Sequence, residues 1–161
     1  MEDMYIPIKK ILVPYDGDEI SDKALSKAIE ISNALKAKIF MIYVIDTRFL
    51  PPPNMTKFIQ DKSGLKNAAD LLINTLTKGA EKMLDTKMSK IKRKNIDIKF
   101  MVRIGSTADE IVSLAKTENA DLIIMGSQQM KKEGTLGTVS RKVSEEANCP
   151  VMIINKKSGL K

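Results

Sequence analysis

The feature of this sequence that most constrains its fold is a regular alternation of short apolar runs with longer segments of helical periodicity. Strands are predicted at residues 8–14, 38–45, 120–125 and 151–154, and continuous apolar runs are typical of strands covered on both faces. Residues 96–104 instead alternate apolar and polar side chains, which is typical of a half-buried strand. We therefore expect five strands, with the alternating one at an edge of the sheet.

The segments between the strands have apolar residues at helical spacing. A first helix is predicted behind a cap at Asp18 or Ser21, and its apolar positions are Ala24, Ala28, Ile31 and Leu35. A second, long helix is predicted after a loop at residues 46–66, and its apolar stripe consists of Leu72, Leu76, Ala80, Met83, Leu84 and Ile91.

Two shorter helices complete the pattern. Thr107 and Glu110 have the spacing of a capping box, which predicts a helix through about Lys116, and residues 137–147 predict a last helix. The order β-α-β-α-β-α-β-α-β predicts an α/β fold, an open five-stranded parallel sheet with helices on both faces. Strand order 3-2-1-4-5 puts the alternating strand at an edge.

The chain length suits one domain, so we expect residues 1–161 to form a single domain. The predicted order leaves the last strand at the other edge, although that strand is wholly apolar. Because an uncovered apolar edge promotes aggregation, we predict a homodimer joined through this strand. Its residues are Val151, Met152, Ile153 and Ile154.

Composition excludes several classes of function. The sequence has no histidine and one cysteine, Cys149, so it has no histidine-dependent catalytic triad, intrachain disulfide or cysteine metal cage. The longest apolar run, Ile39–Ile45, is too short to span a membrane, and no signal-peptide-like segment opens the chain, so we expect a cytoplasmic protein without membrane contact. The net charge is +7, and basic residues cluster at residues 87–94 and again at Lys131, Lys132, Lys156, Lys157 and Lys161; we interpret these clusters as solvated faces rather than a nucleic-acid surface.

A ligand site is expected where the chain reverses direction in the sheet, beyond the carboxyl ends of strands 1 and 4. Glycines and a helix N-terminus at residues 137–140 would provide backbone N–H groups for a phosphate, with hydroxyl groups from Thr138 and Ser140. The same residues also permit a purely structural interpretation. Gly126 would then only end a strand, Gly137 and Thr138 would cap the last helix, and Asp16 would cap the first.

In combination, the motifs of this chain resemble those of the universal stress protein family across residues 6–156. The matching segments are residues 11–17 (ILVPYDG), Ser21, 24–25 (AL), 44–46 (VID), 121–127 (DLIIMGS), 136–143 (LGTVSRKV) and 149–151 (CPV). The resemblance implies the same strand order, a homodimer through the last strand, and, in one branch of the family, binding of ATP or another adenine nucleotide, with or without Mg²⁺. The implied nucleotide-binding residues are Pro14, Tyr15, Asp16, Val44, Met125, Gly126, Ser127, Gln129, Gly137, Thr138, Val139 and Ser140.

The sequence departs from the nucleotide-binding branch in its phosphate loop. That branch has the pattern Gly-x2-Gly-x9-Gly-Ser/Thr, whereas here Gln129 replaces the second glycine and only ten residues separate Gly126 from Gly137. If the position requires positive φ, glutamine costs about 1–2 kcal/mol there. A refolded loop that uses Gly134, Lys131 or Lys132 is the alternative.

Three functions remain open at this point. The first is a stress-response module that binds an adenine nucleotide and reports its occupancy to an unknown protein partner, with loops 127–136 and 46–66 ordering over the phosphates. The second is slow ATP hydrolysis, for which Asp16 or Asp46 would have to act with a divalent metal. The third is a nucleotide-free, dimeric interaction protein whose pocket is vestigial.

Overall fold

The structure is a computed structural model that describes residues 7–50, 62–91, 95–127 and 136–155. Its strands are β1 (Lys10–Pro14), β2 (Lys38–Asp46), β3 (Ile98–Gly105), β4 (Leu122–Gly126) and β5 (Val151–Ile154). Its α-helices are α1 (Glu19–Leu35), α2 (Lys62–Ile91), α3 (Thr107–Thr117) and α4 (Thr138–Glu146), and a 3-10 turn, Thr47–Phe49, follows β2.

The five strands form one parallel sheet in the order β3-β2-β1-β4-β5, which confirms the predicted fold class and strand order. From β1 the chain first builds the sheet in one direction through β2 and β3. It then returns to the other side of β1 for β4 and β5. The reversal therefore lies between β1 and β4, as predicted, and leaves a crevice beyond their carboxyl ends.

Helices cover both faces of the sheet because alternate residues of each buried strand point to opposite sides. Ile11 and Val13 of β1 pack with α1 and α2, whereas Leu12 packs with α3 and α4. Ile123 and Ile124 of β4 are fully buried on opposite faces. This two-sided burial explains why the central strands are continuously apolar.

The register makes one side of the crevice taller than the other. Pro14, the last residue of β1, pairs with Ile42 in the middle of β2. Strand β2 continues past this point to Asp46, which pairs with Gly105 at the end of β3. The ends of β2 and β3 therefore form a wall beside the shorter β1.

The structure decides between the two caps considered for α1 and corrects the capping box of α3. Asp18 is the N-cap of α1, and its carboxylate accepts a hydrogen bond from the backbone N–H of Ser21 at 2.6 Å. The N-cap of α3 is Ser106, so the prediction of Thr107 as the capping residue is wrong. The Thr107 hydroxyl is engaged elsewhere, because it donates to Asp46 on β2.

The long helix begins earlier than its apolar stripe predicts, and the first two residues of that stripe are not core. Both ends of the predicted loop at 46–66 belong to regular secondary structure, since Asp46 ends β2 and α2 starts at Lys62. Residues 51–61 lie outside the described residues. Leu84 is fully buried, but Leu72 and Leu76 are exposed. A 30-residue helix is about 45 Å long, whereas the nine-residue β2 spans about 30 Å, so only part of α2 can pack on the sheet.

No helix in the described part of the chain is both long enough and apolar enough to cross a membrane. At the sheet edge, β5 has Met152 exposed and Ile154 buried.

Candidate functional site

A cavity of about 560 Å³ lies at the carboxyl ends of β1, β2 and β4. Every nucleotide-binding residue implied by the resemblance lines this cavity except Gln129, which lies outside the described residues together with the rest of segment 128–135. The residues that line it in addition are Asp18, Ile20, Ser21, Ile42, Asp46, Arg48, Thr107 and Ile111. The effect of Gln129, which replaces the second glycine of the phosphate-loop pattern, therefore stays a prediction.

One side of the cavity is apolar. Ile42, Val44 and Asp46 are alternate residues of β2, so all three point to the same side of the strand and line the cavity. Ile111 of α3 and Met125 of β4 extend this surface, and both are almost fully buried. The result is an apolar slot that ends at a carboxylate.

The opposite side of the cavity is the N-terminus of α4. Gly137 is the N-cap residue, and the first hydrogen bond of the helix runs from the N–H of Arg141 to the carbonyl of Gly137. N–H groups in the first turn have no partner within a helix, and the helix dipole adds partial positive charge at this end. This part of the cavity is therefore suited to an anion.

Two buried serines connect the end of β4 to the first turn of α4. The Ser127 and Ser140 hydroxyl oxygens are 2.9 Å apart, the N–H of Gly137 donates to Ser127 Oγ at 3.0 Å, and Ser140 Oγ donates to the carbonyl of Gly137 at 3.0 Å. Both side chains are only 2% exposed. The Ser140 hydroxyl thus holds Gly137 and the start of the helix in place, and its use by a phosphate stays a prediction.

The loop after β1 contributes Tyr15 and Asp16. The Tyr15 hydroxyl donates to Asp22 of α1 at 2.7 Å, and burial, followed by this hydrogen bond, raises the pKa of Tyr15 far above its usual value. Asp16 is exposed, and its Oδ1 accepts a hydrogen bond from the N–H of Asp18 at 3.0 Å. Asp16 does not cap α1, and a carboxylate with one such bond has further acceptor capacity for a ligand hydroxyl.

The polar end of the slot is a cluster that the sequence analysis missed. The Arg48 guanidinium donates to both carboxylate oxygens of Asp46, with its shortest distance 2.6 Å, and the Thr107 hydroxyl donates to Asp46 Oδ2 at 2.9 Å. The Asp46 side chain is 8% exposed, and the bond from Arg48 holds the pKa of that carboxyl well below its usual range. The sequence predicts a chemical role for Asp46 only in ATP hydrolysis with a divalent metal. The signal for this cluster in the sequence is Arg48, two residues after the acid.

Gly126 allows β4 and α1 to approach closely. An added Cβ at this position would lie 2.6 Å from Ile20 Cγ2 and 3.2 Å from the backbone carbonyl carbon of Ile20. Because Ile20 and Ser21 also line the cavity, this glycine fixes part of its shape.

Across the described residues, no three acidic or cysteine side chains are grouped closely enough to hold a metal ion. Asp46 is also occupied by Arg48 and Thr107. Among the described residues, the side chains that line the cavity therefore do not by themselves form a cation site.

Comparison with known proteins agrees with the motifs and with this fold. The sequence profile of the universal stress protein family matches residues 7–155. The chain is also 32% identical to the universal stress protein MJ0577 of Methanocaldococcus jannaschii, over 96% of this chain and 99% of that protein. The chain belongs to the universal stress protein family.

Solved structures of universal stress proteins share the fold. The structure of MJ0577 superposes with a TM-score of 0.77 at 27% identity, covering 96% of this chain and all of that chain. A universal stress protein in complex with cAMP gives a TM-score of 0.61 at 21% identity, covering 91% of this chain and 95% of that one. The Arabidopsis thaliana family protein At3g01520, with AMP bound, gives 0.59 at 18% identity, covering 91% and 90%.

Proposed function

We propose that this universal stress protein is a cytoplasmic stress-response protein that binds an adenine nucleotide in the cavity and acts as a nucleotide-dependent interaction module. The observation that carries the proposal is the cavity itself, which has an apolar slot at one end and a helix N-terminus at the other. The cAMP and AMP complexes of structurally similar family members support the ligand class.

The cavity extends across three strands. Strands β2 and β4 flank β1, so their axes are about 10 Å apart, and residues at the carboxyl ends of all three strands line the cavity. The base would lie against Val44 and Ile111, and the phosphates at the first turn of α4. Asp16, between them, would accept a ribose hydroxyl.

Magnesium would arrive with the phosphates rather than occupy a site made by protein side chains. Mg²⁺ commonly keeps several waters and uses one or two carboxylates together with substrate phosphates. Asp16 is exposed and lines the cavity, so in a Mg²⁺ complex it would bind a water of the ion instead of the ribose hydroxyl. Asp46 is committed to Arg48 and Thr107, so its environment favours a structural role over that of a catalytic base.

Thermal unfolding with millimolar ATP and Mg²⁺ tests nucleotide binding. At a ligand concentration one hundred times Kd, binding is expected to stabilise the folded state by about 2.7 kcal/mol and to raise Tm. Gly137→Val is expected to abolish the shift, because the side chain enters the anion end while the extended φ and ψ of Gly137 suit any residue.

A matched control is Gly79→Val, which adds the same side chain on α2, where nothing lies within 4 Å of the new Cβ. This variant should keep the full ATP shift. If ATP, ADP and AMP all leave Tm unchanged in the unsubstituted protein, purified free of nucleotide, the nucleotide-free interaction function replaces this proposal.

The homodimer through β5 is part of the same proposal. Met152 is 37% exposed on an edge strand whose residues are all apolar, so pairing with a second copy would cover it. We expect the protein to elute as a dimer, and Met152→Asp to shift it to the monomer by placing a charge in the interface. Light scattering after gel filtration measures the oligomeric state of the unsubstituted protein and of the variant.

Ile104→Asp is the control for the dimer, since Ile104 is 43% exposed on β3, at the opposite edge of the sheet. This variant should remain dimeric. A monomeric Ile104 variant beside a dimeric Met152 variant would place the interface on β3 instead.

A further inference from the structure

A second cavity, of about 430 Å³, lies behind the loop that carries Tyr15. Its floor is formed by Tyr15 and Met83, and its rim by three lysines of α2, Lys82, Lys87 and Lys90. We call it the lysine groove. Tyr15 also lines the nucleotide cavity, so the two cavities share one side chain as a wall.

The groove carries uncompensated positive charge. Lys87 pairs with Asp22 at 2.5 Å, and its ammonium group lies 5.8 Å from the centre of the Tyr15 ring. Lys82 and Lys90 are exposed and form no ion pair within the described ranges of the chain. Two exposed ammonium groups therefore border an open groove, and neither pairs with a carboxylate among the described residues.

One feature of this helix face works against helix stability. Gly79, also in the groove, lies in mid-helix with nothing within 4 Å of a Cβ added there, although alanine would favour the helix by about 1 kcal/mol. Local choices that oppose the fold without a packing reason are typical of functional surfaces.

The dimensions of the groove fit a peptide better than a single small anion. From Gly79 to Lys90 the helix rises about 16 Å, the length of roughly five extended residues. Lys82 and Lys90 are separated by about 12 Å along the axis, and side chains four apart on an extended chain are separated by about 13 Å. A strand with carboxylates at alternate positions would therefore place two of them near these two lysines.

The geometry points to the lysine groove as a docking site for an acidic, extended segment of a partner protein. Carboxylates four positions apart pair with Lys82 and Lys90, and the intervening backbone lies over Met83, Thr86 and the Tyr15 ring. This adds a partner class and a surface to the interaction role proposed above. The inference does not depend on nucleotide binding.

Fluorescence anisotropy with a labelled octapeptide that carries glutamate at alternate positions tests the inference without any nucleotide. Lys82→Glu/Lys90→Glu is expected to weaken binding at least tenfold. The control, Lys99→Glu/Lys116→Glu, changes the net charge equally but alters exposed lysines of β3 and α3, on the face of the sheet opposite α2. It should weaken binding twofold or less.

Melting curves for every variant separate lost binding from lost folding. A second groove variant, Lys82→Gln/Lys90→Gln, removes the two charges without reversing them, and it should also weaken binding severalfold. Equal losses in the groove and control variants would overturn the inference, because they would show attraction to net charge alone. Absence of peptide binding up to millimolar concentration would overturn it as well. So would tighter binding of a single-stranded RNA octamer that the same groove variants abolish.

Discussion

Replacing Gly126 with alanine is expected to lower the free energy of unfolding by about 1–3 kcal/mol, the usual range for overpacking a well-packed site. The added methyl would lie 2.6 Å from Ile20 Cγ2 and 3.2 Å from the Ile20 backbone carbon, so the side chain and the first turn of α1 must both move. That turn also lines the cavity through Ser21. We therefore expect a smaller ATP-dependent rise in Tm in the same variant.

The matched control is the identical substitution at Gly79, where an added Cβ meets open space in the middle of α2. Gly79→Ala is expected to raise the free energy of unfolding by about 0.5–1 kcal/mol, because alanine has the higher helix propensity. Urea unfolding of both variants measures the contrast. Equal effects at the two positions would show that the close approach of β4 to α1 does not constrain the fold.

The strand order was predictable because each strand has a pattern that reports its place in the sheet. Residues 122–125 are apolar throughout because helices cover β4 on both faces, and residues 96–104 alternate because β3 lies at an edge. Once the order is known, the ends of β1 and β4 must meet at the reversal point. The positions of Asp16, Gly126 and Gly137 around one cavity follow from topology alone.

The contacts inside the site were not predictable in the same way. The Asp46–Arg48–Thr107 cluster exists because β2 extends past β1 until Asp46 pairs with Gly105, and a hydrophobic pattern does not specify that register. The hydroxyl contact between Ser127 and Ser140 joins residues thirteen positions apart, which no local pattern specifies. Leu72 is exposed because α2 is longer than the sheet on which it packs. Helical periodicity predicts which residues share a face of the helix but not how far the helix extends beyond the sheet.

Replacing Asp46 with alanine is expected to cost about 2 kcal/mol of folding free energy at pH 7. The substitution removes a nearly buried carboxylate and leaves the Thr107 hydroxyl without its acceptor. The exposed Arg48 guanidinium can be hydrated again, so the loss should stay below the 3–5 kcal/mol typical of breaking a fully buried ion pair. Urea unfolding measures the change. The control is Glu145→Gln, which removes one partner of an exposed ion pair with Arg141 and should cost about 0.5 kcal/mol or less.

The pH dependence gives a sharper test of the same carboxylate through Asp46→Asn, which keeps the shape but not the charge. Because the pKa of Asp46 is lower in the folded protein than in the unfolded chain, its ionised form stabilises the fold above about pH 4. That contribution is lost as the pH falls through the folded-state pKa. The stability difference between the unsubstituted protein and Asp46→Asn should therefore shrink steadily below pH 4, since other carboxyl groups titrate in both proteins and cancel. A difference that stays constant from pH 7 to about pH 3 would show that Asp46 does not hold Arg48 and Thr107 as an ionised group.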